Sequence, residues 1–443
     1  MDINLIKLVL FFIIMINIYV FIKKRKKYKL ILNEKYWILF SWIGCLALYF
    51  FSGITYTFNL NIYSLGYIFI FWCIFFLGQY FAKIIKRENK IDRKDINFKI
   101  KIDFYPYFIL ALICVIIYII YMMKTNNIII GVTRDVSTNS VLTLLLAISS
   151  ISLIIWLYEL AYSLINETKI PIYGFISALI YNLPGILISG RDALIIFIIS
   201  TLIITIYCGK YANDELNSTG KRYKKIKRYG ICGFIVILMY LIFLSTNRYG
   251  NNESSALNMF MWSAGCKFPQ YLEDIYYNFG GIGKVIINIV FYYSSQFSKF
   301  ALIFDRYNGP YMLGLYELHY ISRMFPNSWA MSYSLVTQQL TNITMNAGIP
   351  GIRIFWETAI GYLIYDFGKI GTLIVSFIFG ILVKKISMWS EYNKNILKIL
   401  ARTFVCIAMF LTIEVSPIFD YFFIFPTIWL VVIILIYNRK ISN

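Results

Sequence analysis

Apolar residues run through this chain in blocks too long and too uniform for the core of a soluble domain. A spanning helix needs about 20 mainly apolar residues, and eleven stretches meet that at roughly 3–22, 37–58, 62–82, 105–123, 141–163, 170–189, 193–211, 229–246, 360–383, 399–416 and 421–437. One long interval, 247–357, breaks the rhythm between the eighth and ninth. It holds a further apolar stretch, 284–303, in which Lys284, Asn288, Tyr292, Ser295 and Lys299 recur every three or four residues while Val, Ile and Phe fill the rest. That period places the polar residues on one helical face. The pattern predicts an amphipathic helix in the interface or packed on the bundle. The expected organisation is helices one to eight over 1–246, a long outer loop over 247–357, and helices nine to eleven over 358–443.

Composition agrees. Of 443 residues, 59% are hydrophobic and 14% charged, against about 45–50% and about 25% in soluble domains. With a mean hydropathy of +0.68, this excludes a water-soluble enzyme. The net charge of +20 changes the picture only through its placement. The linkers at 23–36, 83–103, 209–228 and 384–402, with Lys169, Arg439 and Lys440, hold 30 of the 42 basic residues, whereas the connections near 59–61 and 417–420 hold none. Basic loops stay in the cytoplasm, so the N-terminus is expected outside and the C-terminus inside a bacterial cytoplasmic membrane. The charge is topological, and nucleic acid is not an expected partner. The first apolar run has its basic cluster after it, unlike a cleavable leader. Seven cysteines without a CxxC pair and the lone His319 suggest neither a disulfide framework nor a thiolate or histidine metal site.

Charges at membrane depth and on the outer side carry the candidate chemistry, because a central arginine costs about 2.5–3.5 kcal/mol. Arg191 and Asp192 interrupt a hairpin of two apolar helices, next to Gly190. An interfacial arginine can simply snorkel to lipid phosphate, or it can hold an anionic headgroup through its planar fork. Arg248, Arg306, Arg323 and Arg353 face the same compartment, making a set suited to diphosphate. Acids and bases on that side are Glu253, Glu273, Asp274, Asp305, His319, Glu357, Asp366 and Asp420. His319, Asp366 and Glu357 are the candidates for proton transfer. A hydrogen-bonded interfacial histidine is the plain alternative for His319, and Lys369 is an ordinary partner for Asp366. Glu414, inside the tenth span, must be protonated, paired or facing a cavity. No DxD or ExD pair lies on an outer loop, so metal-independent chemistry without a cofactor is expected, with arginines supplying the electrostatics. Glycines 361, 368, 371 and 380 allow close approach of other backbones.

Several of these residues form a layout: Ser189-Gly190-Arg191-Asp192, the exit residue Arg248, one large outer loop ending in Thr341, Asn342 and Gly348, then Tyr365-Asp366-Phe367-Gly368 and Gly371 opening a glycine-rich helix. It resembles the Wzy-type O-antigen or oligosaccharide repeat-unit polymerases, in layout over most of the chain and in motif over about 187–192 and 341–380. The resemblance implies an all-α, GT-C-like polytopic glycosyltransferase. It would move a growing glycan from undecaprenyl diphosphate onto an incoming lipid-linked unit on the outer face. Arg191 and Arg248 would then steady the departing diphosphate, and a chain-length regulator is a possible partner beside membrane lipid. Two other readings remain open: an O-antigen ligase, for which His319 suits, and a lipid-linked oligosaccharide flippase. The long outer loop and one-sided charge disfavour the flippase.

Overall fold

The computed structural model describes residues 32–85, 102–125, 140–187, 192–215, 239–240, 242–243, 257–258, 261, 264–322, 331–347, 357–390 and 395–442. Among them the chain is built of helices: α1 (Glu34–Phe51), α2 (Ile62–Ile85), α3 (Tyr105–Thr125), α4 (Ser140–Ser149), α5 (Ile151–Asn166), α6 (Ile172–Leu187), α7 (Asp192–Glu215), α8 (Gln270–Asn278), α9 (Gly280–Arg306), α10 (His319–Ser322), α11 (Met331–Asn346), α12 (Ala359–Ser390), α13 (Ile396–Leu411) and α14 (Tyr421–Ser442). A two-residue antiparallel pair, β1 (Thr55–Tyr56) with β2 (Cys266–Lys267), is the described β-structure. Among the described residues, five helical stretches are long and apolar enough to cross a membrane: Ile62–Ile85, Tyr105–Lys124, Ser140–Asn166 (α4 and α5 end to end), Asp192–Gly209 and Ala359–Trp389. This is an all-α architecture of membrane-protein character. The expected span 3–22 and nearly all of 229–246 lie outside the described residues.

Local chemistry sets the helix ends. The Asn33 side chain accepts from the Lys35 N–H at 3.1 Å, and Asn395 accepts from Leu397 at 2.9 Å. Both occupy first-turn donors that have no partner within the helix. Two expected spans stop early. The run over 37–58 ends at Phe51, because Gly53 turns to φ +70° and β1 pairs instead with β2. The run over 399–416 ends at Leu411, and residues 412–420 form an irregular turn. That turn takes Glu414 out of the helix interior.

Two large apolar cores form, beside a small one of Tyr118, Met122, Leu142 and Leu146 between α3 and α4. One joins α1, α2, α9, α11 and α12, and the other joins α3, α5, α6, α7 and α14, with α13 contributing to both. Helices α2 and α12 cross at backbone distance: a Cβ on Gly380 would sit 2.1 Å from the Phe75 carbonyl oxygen, and one on Gly78 2.2 Å from that of Phe377. The Ser376 hydroxyl adds a 2.9 Å bond to the Phe71 carbonyl. Of the four glycines expected to admit another backbone, Gly380 alone does so. Gly361 and Gly371 lie against side chains of their own chain segment, Glu357 and Phe367, and Gly368 breaks the helix at φ 65°, ψ 178°.

The amphipathic helix within 247–357 is α9, which is longer than 284–303. It passes the end of α1 and the start of α2. The Tyr56 hydroxyl meets Ser294 at 2.6 Å, the Asn61 amide bonds Asp305 at 3.0 and 3.2 Å, and Phe304 packs on Tyr67. Its polar stripe turns inward: Asn288, Ser295 and Lys299 are buried.

Candidate functional site

The break at Gly368 builds the site. It makes residues 359–367 a separate half-helix whose first N–H, that of Ala359, bonds the Thr412 carbonyl at 2.8 Å. Its far end carries Asp366, and both carboxylate oxygens are engaged there, by the N–H of Tyr316 at 3.0 Å and of Glu317 at 2.9 Å. The carbonyls of Tyr365 and Asp366 accept from Met312 and Leu313. Hydrogen bonds to a charged group contribute about 1.5–3 kcal/mol each, so Asp366 clamps the 312–318 turn and does not pair with Lys369. The Lys369 ammonium lies over the Phe304 ring, 4.3 Å from its centroid.

The clamped turn delivers Glu317 and His319. The imidazole is buried in an aromatic sandwich, 4.8 Å from Tyr333 and 4.3 Å from Phe419, nearly parallel to both. Tyr316 stacks on Tyr333 and packs against Tyr362 and Phe419. Glu357 enters from the foot of the half-helix. It is 1% exposed, Glu317 is 3% exposed, and neither completes a hydrogen bond of normal geometry among the described residues. Burial pushes each carboxyl from an ordinary 4.5 up to about 8, because a charge loses its hydration there. The Lys299 ammonium and Tyr365 hydroxyl pull Glu357 part of the way back, and the Ser416 hydroxyl does so for Glu317. Gly361 gives Glu357 its room, since a Cβ there would come within 2.9 Å of the Glu357 Cγ.

A second acidic group borders this one. Asp420 is buried and caps α14 through the Phe422 N–H at 2.9 Å. Its carboxyl is raised well above the ordinary range, first by burial and then by the charge of Asp192. Asp192 opens α7 directly after Arg191, and Phe419 precedes Asp420 in the 412–420 turn. Asp420 thus feels the start of α7, while Phe419 beside it stacks on His319.

Asp366 and His319 are thus joined through the 312–319 turn, and Glu357 borders the same aromatic cluster through Tyr365. Arg306 stands apart, exposed at the end of α9 with its guanidinium over the Phe58 ring. Arg191, Arg248, Arg323 and Arg353 lie outside the described residues. Sequence reasoning missed Glu317, two residues before His319, because a glutamate in an outer loop looks solvated. It also missed the reach of Lys299 to Glu357. Among the described residues no group of three or more His, Cys, Asp or Glu is arranged to hold a metal ion. Chemically the site offers two carboxyls that exchange a proton near neutral pH, an imidazole, and aromatic faces. No family model, characterised protein or solved structure matches this chain.

Proposed function

We propose that the chain is a membrane glycosyltransferase that polymerises undecaprenyl-diphosphate-linked oligosaccharide units on the outer face of a bacterial cytoplasmic membrane. The observation that carries the reading is the convergence at residues 412–420. The turn that stacks on His319 also carries Asp420, whose carboxyl feels the charge of Asp192, the sequence neighbour of Arg191. An anion-holding hairpin and a proton-accepting cluster are the two parts this transfer needs. A hydroxyl oxygen of the incoming unit attacks the anomeric carbon of the growing chain. The carbon–oxygen bond to the lipid diphosphate breaks, and its electron pair leaves on the diphosphate. The hydroxyl proton passes to Glu357 in its carboxylate form, which a group titrating near neutrality supplies in useful amount. Arg191 and Arg248 neutralise the leaving charge in this scheme, as preorganised cations do without a metal. Asp366 acts at one remove, by holding the turn that carries Glu317 and His319.

The test is a deletion strain, with its surface-glycan ladder and its lipid-linked intermediates examined by mass spectrometry. A polymerase leaves single repeat units on the acceptor and no ladder. Long polymer retained on undecaprenyl diphosphate beside a bare acceptor means a ligase. Single units trapped on the cytoplasmic face mean a flippase, and an unchanged ladder removes the glycan reading.

A further inference from the structure

The hairpin of α8 and α9 has two unlike sides. The helices turn at Phe279–Gly280 and pack closely: a Cβ on Gly283 would lie 2.1 Å from the Ile275 carbonyl oxygen, and Phe268 meets Phe291 further along. One side is the outward face of α8, with Glu273 and Asp274 and an Asp274–Gln270 bond of 3.1 Å. The other is the outward face of α9, where Ile282, Ile286 and Ile289 are 56%, 42% and 45% exposed. Their spacing of four and three residues makes a single stripe. The buried side of α9 mixes polar groups, Asn288, Ser294, Ser295, Gln296 and Lys299, with apolar ones such as Ile287, Phe291 and Ile303. A helix that turns amides, hydroxyls and Lys299 inward while Ile282, Ile286 and Ile289 face outward is not patterned for a water-bathed loop.

Height in the molecule identifies the occupant. Tyr271 of α8 donates to the Ser52 carbonyl, β2 pairs with β1, and Asp305 takes the Asn61 amide. Both arms of the hairpin are therefore fixed at the level where α1 ends and α2 begins, and the apolar span α2 likewise exposes Ile62, Tyr63, Phe69 and Ile70. Tyr271, Tyr277 and Phe279 of the same hairpin are exposed, and aromatic rings of this kind collect at a membrane surface. Lys284 lies 5.9 Å from the Tyr276 ring centroid.

We infer that the Ile282–Ile286–Ile289 face of α9 lies in the acyl chains of the outer leaflet, with α8 above it in water, so that this part of the outer loop is a membrane-embedded float. The inference rests on the membrane character of the chain and is independent of the transferase reading. It is tested in right-side-out membrane vesicles holding the full chain, with single cysteines placed at exposed sites: Ile286→Cys, Ile289→Cys and Asp274→Cys. Labelling by a membrane-impermeant maleimide is read against the background of the unsubstituted chain. The cysteines at 286 and 289 are expected to react roughly tenfold or more slowly than the one at 274 until detergent is added, as buried interfacial positions do. A photo-crosslinker attached at 286 through a lipophilic maleimide should give phospholipid adducts. Equal rates at 274 and 286 would place the stripe in water and overturn the inference. Protection at 286 with adducts to a second polypeptide would overturn it in favour of a protein interface. Two cysteine positions on the stripe guard against one variant misfolding, and each is scored only if it enters the membrane at the parent's level.

Discussion

The two halves of α12, divided at Gly368, differ in everything they touch. Residues 369–390 press backbone to backbone on α2 through Gly78 and Gly380. They turn Ile370, Ile374, Ile378 and Leu382 outward in a four-residue rhythm. Residues 359–367 have no such stripe. Nearly all of them are buried, and they carry Tyr362, Tyr365 and Asp366 into the cluster around Glu357 and His319. One half holds position in the membrane by shape, and the other organises polar groups by hydrogen bonds. A single residue with positive φ lets one run of apolar sequence do both, since only glycine takes that conformation without strain.

The largest effect should come from damaging the anchoring half. In Gly380→Leu the new Cβ collides with a carbonyl that has no rotamer to escape into, so α2 and α12 must separate. Overpacking costs about 1–3 kcal/mol where neighbours can yield, and more where they cannot. The expected result is little membrane-inserted protein, read by quantitative immunoblot. Normal levels with an unchanged melting temperature would mean the crossing is looser than described.

Asp366→Ala attacks the other half and should act differently. Two amide donors lose a charged acceptor, which costs about 3 kcal/mol or more, but the loss is local to the 312–318 turn. Under the proposed function, polymer formation should fall strongly while the protein still inserts and purifies. Full activity in this variant would show that Glu317 and His319 are not held by that clamp.

Glu357→Gln sharpens the contrast through pH. Both Glu317 and Glu357 bind a proton more tightly when folded, with values near 8 instead of 4.5. The unfolded chain therefore releases protons the folded chain keeps, and stability declines as pH rises from about 4.5 to about 8, then levels off. Below 4.5 both states are protonated and the penalty is absent. In detergent, the melting temperature of the native chain should drop across that window, and Glu357→Gln should flatten the drop while removing activity. An identical slope in both proteins would place the buried titration elsewhere. The smallest effect belongs to Gly66→Ala on α2, where a Cβ meets nothing within 4 Å. A neutral result or a gain of about 0.5–1 kcal/mol is expected from better helix propensity, and a loss would reveal an unseen contact at that face.

What was legible in the sequence follows the same division. The anchoring half of α12, α2, α3 and α7 are apolar runs of the right length, and hydropathy finds them because bilayer thickness alone sets that length. Gly380 could be marked as a close-contact position because small residues at helix crossings have few other uses. The clustering half was only partly readable. His319, Glu357 and Asp366 stood out as ionisable groups in apolar surroundings, yet the role of Asp366 depends on two amides some fifty residues away. Glu317 was invisible, because nothing local separates a buried loop glutamate from a solvated one. The ends of α1 and α13 were misjudged for a related reason: tertiary pairing at 52–56 and 412–420 outweighed continued apolar sequence.

The 412–420 turn also fixes when the site comes into being. A chain emerging from the ribosome can insert α1 through α12 and bring Asp366 onto its turn. Until α13 has threaded back, however, Ala359 has no Thr412 carbonyl and His319 has only one of its two stacking faces. The cluster is therefore closed only after α13 and the 412–420 turn have been made, and a polypeptide stopped short of them would hold its half-helix and histidine turn with one side of the cluster missing.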